Sequence, residues 1–443
     1  MLVPAAGGLR RGNRRVIDLD ERLSRLQGRG RLPSVVAGVL SAGSLTWVGG
    51  AGEVPGPPDD TQYRIGSITK TLVAVTVMRL RDEGLLALTD PIGRFVPEAG
   101  YAEASVRDLL AHVSGMQSEP VGSWWERSPG VPVPDLLAAN TSAGRVADTG
   151  SYYHYSNLGF ALLGEAVARL RGRPWFEVVA DELLVPLGMT RTSYLPVAPH
   201  AQGYSVDHFH ETLTEEPHQD TGAMAPAGQA WSTVADLARW ADFLATGHET
   251  VLARETLDEM ATLQAPAEGY GLGLRLMDVR GTAYAGHTGS MPGFLASLFV
   301  DRSRRDGVVA LANATTGLPA ESVPRLLLGE HAPPRAEPWV PTTVVPEAVT
   351  GLPGLWFWGH TALELRWHHG VLRLHQPGEV RDAYEFEVRA DGTIVGTVGY
   401  HRGETMHVHR RPDGSVSHLV CATFVYTRIP YDPDVPIPGG HPA

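Results

Sequence analysis

The chain has 443 residues, more than one hydrophobic core usually holds, so two or three domains are expected. A formal net charge of -12 and an isoelectric point near 5.8 argue against nucleic acid or an anionic membrane as the main partner, since both demand a positive field. Cys421 is the only cysteine, which rules out an intramolecular disulfide.

The N-terminal arginines follow a short apolar start, the reverse of a secretory signal, and no apolar run of 18 residues follows. A cytoplasmic protein is expected. Residues 16–28, "VIDLDERLSRLQG", carry the spacing of an amphipathic helix, and "SVVAGVLSAGSLTWVGGAG" reads as a hairpin turned at residues 41–44. After a Pro/Gly-rich loop, "SITKTLVAVTVMRLRDEGLL" predicts a helix buried on most of its faces and ended by Gly84. Helices are predicted at "VRDLLAHV", "SNLGFALLGEAVARLRG", "TVADLARWADFLATG" and "ARETLDEMATL". Strands are predicted at "YGLGLRLMDV", "TAYAGHTGS", "FLASLFVD" and "GVVALAN". Strands at both ends with helices between them imply an α/β domain whose sheet is completed by both termini, with a helical insertion.

Residues 330–354 are proline-dense and read as a stiff linker. Beyond them "ALELRW", "VLRLHQ", "YEFEV", "TIVGTV", "TMHVHR" and "ATFVYTR" alternate between turn signals, which predicts a separate antiparallel β-barrel. The expected division is 1–329, a linker at 330–354, and a barrel at 355–443.

The chemistry centres on "RIGSITKT". The chain holds 37 basic side chains, and Lys70 is the only lysine among them. Arginine holds its proton at any accessible pH, whereas a buried ammonium can lose it and serve as a base. Ser67 and Lys70 stand at i and i+3, on one face of a helix and within reach of each other. A lone lysine falls three residues after a serine by chance about one time in fifteen. A serine hydroxyl needs a nearby base, and the apolar helix supplies the burial that lowers a lysine to that task.

Two further motifs follow, Tyr155-Ser156-Asn157 at a helix start and His287-Thr288-Gly289 on or beside a strand. With the serine motif, and with the phrases "VRDLLAHVSGM", "YHYSNLGFALLGEAV" and "WSTVADLARWADFL", the chain resembles the active-site-serine penicillin-recognising superfamily. The likeness is to the class C β-lactamase branch with its D-aminopeptidase, family VIII esterase and penicillin-binding-protein-type thioesterase relatives, and it covers about residues 15–325. The resemblance implies the β-lactamase/transpeptidase-like fold, an antiparallel sheet flanked by helices plus a helical subdomain. It further implies Ser67 as acyl-forming nucleophile and Lys70 with Tyr155 as the proton-handling pair. Asn157 would contact substrate and Lys70. His287 and Gly289 would line the third motif, and the Ser67 and Ser290 N–H groups would hold the oxyanion. Which of Lys70 and Tyr155 takes the serine proton stays open, because the two would titrate together.

Histidine at position 287, where many relatives carry lysine, weakens the expectation of a carboxylated β-lactam and resembles the esterase, D-aminopeptidase and thioesterase branches. The appended barrel resembles a lipocalin-like domain, and Arg402 in its loop "GYHRGET" would reach toward substrate. Neither a cofactor nor a metal is implied. His208, His210 and His218 lack regular ligand spacing, and Cys421 reads as a buried core thiol.

The reading is a serine acyl-transfer enzyme acting on small-molecule or peptidyl ester and amide substrates. One alternative is a thioesterase that releases and cyclises a nonribosomal peptide, with a carrier protein as partner. Another is a non-catalytic ligand-binding homologue.

Overall fold

Residues that alternate in the sequence face opposite layers of the fold, and the first and last strands of the N-terminal region meet in one sheet. The computed structural model describes residues 19–264, 269–329, 338–378 and 384–437. Positions 16–18 of the first predicted helix, residues 330–337 of the predicted linker and the last six residues lie outside these.

The chain begins with α1 (Leu19–Gly30), β1 (Ser34–Ser41), β2 (Ser44–Gly52), the short β3 (Tyr63–Arg64) and α2 (Thr69–Asp82). A helical stretch follows, with α3 (Val106–Leu110), α4 (Val133–Ala139), α5 (Asn157–Arg171) and α6 (Trp175–Val179). Next come the small hairpin β4 (Tyr204–Val206) and β5 (Leu213–Glu215), then β6 (Trp231–Ser232), α7 (Val234–Thr246) and α8 (Arg254–Met260). The sheet is completed by β7 (Arg275–Val279), β8 (Thr282–Met291), β9 (Phe294–Asp301) and β10 (Asp306–Ala312), and α9 (Val323–Leu328) closes the region.

The six-stranded sheet has the order β2-β1-β10-β9-β8-β7, and its neighbours pair antiparallel, β1 against β10 among them. Period-two alternation explains how β1 and β10 are buried on both faces. Val35, Ala37, Val308 and Ala310 pack with α1 and α9, while Val36, Leu40, Val309 and Leu311 join the main core with α2 and α7. Each such fully buried aliphatic side chain contributes roughly 1.5–3 kcal/mol.

Helix α2 is buried from Thr69 to Met78 and again at Leu80. Two of its threonines are satisfied locally, Thr71 donating to Ile68 O and Thr76 to Leu72 O. Lys70 is therefore the one ionisable group on the helix's buried stretch. Among the described residues no helix is long and apolar enough to cross a membrane.

Eight further strands close a barrel in simple chain order. They are β11 (Gly354–Trp358), β12 (Thr361–His368), β13 (Val371–His375), β14 (Tyr384–Val388), β15 (Ile394–Val398), β16 (Thr405–Arg410), β17 (Val416–Cys421) and β18 (Phe424–Thr427). The inward side chains, Trp356, Leu365, Trp367 and Phe386 among them, form one apolar cluster.

Three expectations are corrected here. Strand β11, "GLWFW", reads as a continuous apolar run at the linker's end and was not expected as a strand. The segment "SHLVCATFVYTR", residues 417–428, reads in the sequence as one apolar strand but spans two, because the chain reverses at Ala422 with φ +52. Tyr270–Leu274 is not part of β7; Gly273, at φ +74, turns the backbone there, and Tyr270 is turned into the core.

The barrel meets the N-terminal region through β12. Trp367 N donates to Phe209 O at 2.8 Å, Arg366 Nη2 lies 2.5 Å from His208 Nε2, and His368 Nδ1 lies 2.9 Å from Glu211 Oε1.

Candidate active site

Ser67 lies in a single 3-10 turn, Gly66–Ile68, that leads directly into α2. The turn is fixed from behind: β3 pairs with β6, and Ile65 N donates to Ala230 O at 2.9 Å. Two glycines let strand β8 approach it. Gly66 has φ +52, and a β-carbon there would fall 2.5 Å from Ser290 N; a β-carbon on Gly289 would fall 1.9 Å from Ile65 O. Only glycine tolerates either position. The close approach sets Ser290 N against the backbone of Gly66, beside the serine. The Ser67 N–H lies at a helix entrance, where free donors and the helix dipole favour negative charge.

Lys70 is fully buried. Its Nζ lies 2.9 Å from Ser67 Oγ and donates to Ala227 O at 2.6 Å. Burial lowers the ammonium from 10.5 to about 7, against an opposing pull from Glu119 and Glu126. The amine is thus divided between both forms near neutral pH, with its free lone pair able to meet the serine proton.

Tyr155 ends the segment before α5. The next residue, Ser156, caps that helix by accepting from Gly159 N, and its own N–H donates to His112 Nδ1 at 3.0 Å. The His112 ring packs on the Tyr155 ring with centroids 4.1 Å apart. Lys70 Nζ lies 5.0 Å from the Tyr155 ring centroid. The phenol is buried, and its oxygen makes no hydrogen bond of ordinary geometry. Ser67 is near enough to draw its titration down slightly, but burial dominates and raises it above the usual tyrosine value. The two groups are pushed in opposite directions, lysine toward the neutral amine and tyrosine toward the neutral phenol.

The structure brings Ser67, Lys70 and Tyr155 together, with Gly289 and Ser290 alongside. Asn157 is close by, but its amide donates to Glu119 Oε1 at 2.6 Å, while the hydrogen bonds of Lys70 go to Ser67 and Ala227. His287 is turned away from solvent, 1% exposed. Its Nδ1 lies 2.5 Å from Thr288 O, and its Nε2 is 2.9 Å from the Tyr270 hydroxyl. With a carbonyl at Nδ1 and a hydroxyl at Nε2, the ring is held as the Nδ1–H tautomer. Burial lowers its pKa to about 3. It is a neutral wall behind Tyr155, with ring centroids 6.2 Å apart, rather than an exposed substrate contact. Arg402 is exposed on the β15–β16 loop, and the described contacts of the barrel with the N-terminal region run through β12 instead.

Sequence reasoning missed the acidic side of the cleft. Glu119 accepts from Asn157 and from Trp125 Nε1, both at 2.6 Å. Glu126 accepts from Trp124 Nε1 at 2.8 Å, and burial raises its carboxyl above the ordinary value, with Glu119 pushing the same way. Nothing in the spacing of "SEPVGSWWER" announces this; the pair faces Lys70 only after folding. Of the two tryptophans, Trp125 is buried and Trp124 exposed.

Comparison with known proteins identifies relatives of both parts of the chain. Residues 19–332 match the family model described as Beta-lactamase, and residues 345–428 match a domain of unknown function (DUF7586). The D-alanyl-D-alanine-carboxypeptidase/endopeptidase AmpH of Escherichia coli is 29% identical over 196 residues, 42% of this chain and 49% of that protein. The D-stereospecific amidohydrolase from Streptomyces sp. superposes with a TM-score of 0.60 at 26% identity, covering 70% of this chain and 99% of that one. The octameric penicillin-binding protein homologue from Pyrococcus abyssi superposes with a TM-score of 0.62 at 24% identity, covering 93% of this chain and 99% of that one. The chain spans about half to just under two thirds of the length of the first curated relatives it matches. The family match takes in well over half of the chain, including the 3-10 turn, helix and loop that carry Ser67, Lys70 and Tyr155, and the chain belongs to the beta-lactamase family.

Proposed function

We propose that the protein hydrolyses amides or esters of D-configured amino acids through an acyl-enzyme on Ser67, and that it favours substrates with a free amino group. The observation that carries this reading is the Ser67–Lys70 couple, 2.9 Å apart, with the amine lowered to about 7. Opposite displacement of two neighbouring titratable groups assigns their roles: neutral Lys70 is the base, and Tyr155 is a hydrogen-bonding proton relay. Ser67 Oγ attacks the carbonyl carbon as its proton passes to Lys70 Nζ, and the N–H groups of Ser67 and Ser290 hold the oxyanion. The C–N or C–O bond then breaks, and the leaving nitrogen or oxygen takes the proton back through Lys70 and Tyr155. Water attacks the acyl ester in the second half, by the same transfers in reverse.

Substrate preference follows from charge. Neutral His287 offers no cation for a carboxylate, while Glu119 and Glu126 make the cleft acidic, which suits an ammonium beside the scissile carbonyl. The D-configuration rests on the amidohydrolase and carboxypeptidase relatives named above.

The test is hydrolysis of D- and L-amino acid p-nitroanilides, each free and N-acetylated, by the wild type and by Ser67→Ala. A charge-assisted hydrogen bond is worth about 1.5–3 kcal/mol, so N-acetylation is expected to lower kcat/KM by roughly ten- to a hundredfold, with turnover abolished in Ser67→Ala. Equal or better turnover of N-blocked substrates would remove the ammonium assignment.

A further inference from the structure

The barrel holds a cluster of donor atoms independent of the serine site. Its β15–β16 loop folds back on the sheet, Gly403 N donating to Gly396 O and Gly396 N to Glu404 O, and it drives His401 fully inside. Loops ordinarily run over the surface, so a completely buried loop histidine needs a partner set. His401 Nδ1 lies 2.9 Å from Glu404 Oε2, and Cys421 Sγ, from strand β17, lies 3.8 Å from the same oxygen. The three donor atoms all fall within 4.8 Å of one another.

We propose that His401, Glu404 and Cys421 form a binding site for a borderline-soft divalent cation, with Zn2+ as the reference ion. Zn–N bonds of about 2.0–2.1 Å and Zn–S bonds of about 2.3 Å give tetrahedral donor-to-donor edges of roughly 3.3–3.8 Å. The separations here bracket that range, so an ion enters with small side-chain shifts. A nitrogen, an oxygen and a sulfur suit zinc better than calcium or magnesium, which take oxygen donors.

The surroundings are those of a ligand histidine. His401 Nε2 lies 2.8 Å from the Tyr426 hydroxyl. If Nδ1 binds the cation, Nε2–H donates to that oxygen and fixes the ring, the outer contact that metal-bound histidines require. The rings of Tyr384, Tyr400 and Phe424 stand 5.3, 5.5 and 5.0 Å from the His401 ring and exclude water. The Glu404 side chain is 39% exposed and provides the route in, leaving the fourth position to a water. Binding converts the Cys421 thiol to a thiolate and releases its proton to solvent, while His401 binds through Nδ1 and keeps its proton on Nε2.

A second cluster, Glu211 with His368 and His369, is less suited. Glu211 already receives the Trp339 indole N–H, and the Arg31 guanidinium, 3.5 Å away, opposes a cation. The sequence gives no signal for such a site, because its ligands would be a short H-x-x-E and a distant cysteine, a spacing that matches no regular zinc motif.

The experiment titrates the full chain, stripped with chelator, with Zn2+ alone by calorimetry and with Co2+ by absorption. Because the chain holds one cysteine, a thiolate-to-cobalt charge-transfer band can come only from Cys421. The expected result is one tight equivalent per chain, that band together with intense visible bands of tetrahedral cobalt, and at least a hundredfold weaker binding in Cys421→Ser and Glu404→Gln. Tyr426→Phe is expected to weaken binding about tenfold, and His368→Gln and His409→Gln to leave it unchanged. Near-ultraviolet circular dichroism of each variant shows whether the barrel remains folded, and protection of Cys421 from alkylation by Zn2+ in the wild type provides a readout that needs no variant. Absence of the charge-transfer band, or alkylation that Zn2+ does not slow, would overturn the proposal.

Discussion

Replacing Lys70 with methionine is expected to abolish acylation and to flatten the pH dependence of stability, because the side chain is an ionisable group held where its charge is disfavoured. Burial takes its ammonium from 10.5 to about 7. In the unfolded chain the same amine keeps its proton to about 10.4. Between those values the unfolded state binds one proton more than the folded state, so wild-type stability rises with pH, by up to about 1.4 kcal/mol per unit. Below about pH 7 both states carry the proton, and the burial cost is present in full without further change. From pH 7 to pH 9 the contribution of Lys70 works out at about 2 kcal/mol. Methionine fills a similar volume and does not titrate, so other ionisable groups cancel when variant and wild type are compared. The assay is urea denaturation of both proteins across this pH range, followed by circular dichroism. The stability of the wild type relative to the variant is expected to climb by about 2 kcal/mol over those two units. Parallel profiles would refute the reasoning, since Lys70 would then titrate at the same pH whether folded or unfolded.

Further outcomes follow from the same geometry. Acylation needs the neutral amine, so its rate is expected to rise with pH through about 7 in a stopped-flow profile. Glu119 holds the Lys70 ammonium up, so Glu119→Gln is expected to move that limb to lower pH; a shift to higher pH would contradict the assignment. Gly66→Ala places a β-carbon 2.5 Å from Ser290 N and is expected to lower kcat by roughly a hundred- to a thousandfold, the usual loss with one oxyanion donor. Tyr155→Phe, which removes a hydroxyl that makes no ordinary hydrogen bond, is expected to leave the melting temperature nearly unchanged while kcat falls by about a hundred- to ten-thousandfold.

Much of the N-terminal fold was legible because its signals are local and periodic. The i, i+3 spacing of Ser67 and Lys70 survives folding unchanged, and the apolar run of α2 announced its own burial. The turn signal at residues 41–44 likewise marked the hairpin of β1 and β2. Side-chain direction at a strand edge was less legible: an H-x-G motif does not say that His287 faces Tyr270 rather than the cleft. Glu119 and Glu126 acquire meaning only from the fold that sets them over Lys70. In the barrel, period two marked most strands, but β11 is apolar at successive positions and hid in the proline-rich run. Cys421 was correctly read as buried, yet the loop that carries His401 and Glu404 to it is a non-local event with no trace in spacing.

A covalent acyl-enzyme on Ser67 is tested directly by intact-mass spectrometry after brief incubation with a p-nitrophenyl ester of a D-amino acid. The expected result is a mass increase of one acyl group, located by peptide mapping to the segment around Ser67, present in the wild type and absent in Ser67→Ala. An adduct that persists in Ser67→Ala, or turnover of the ester by that variant at the wild-type rate, would contradict it.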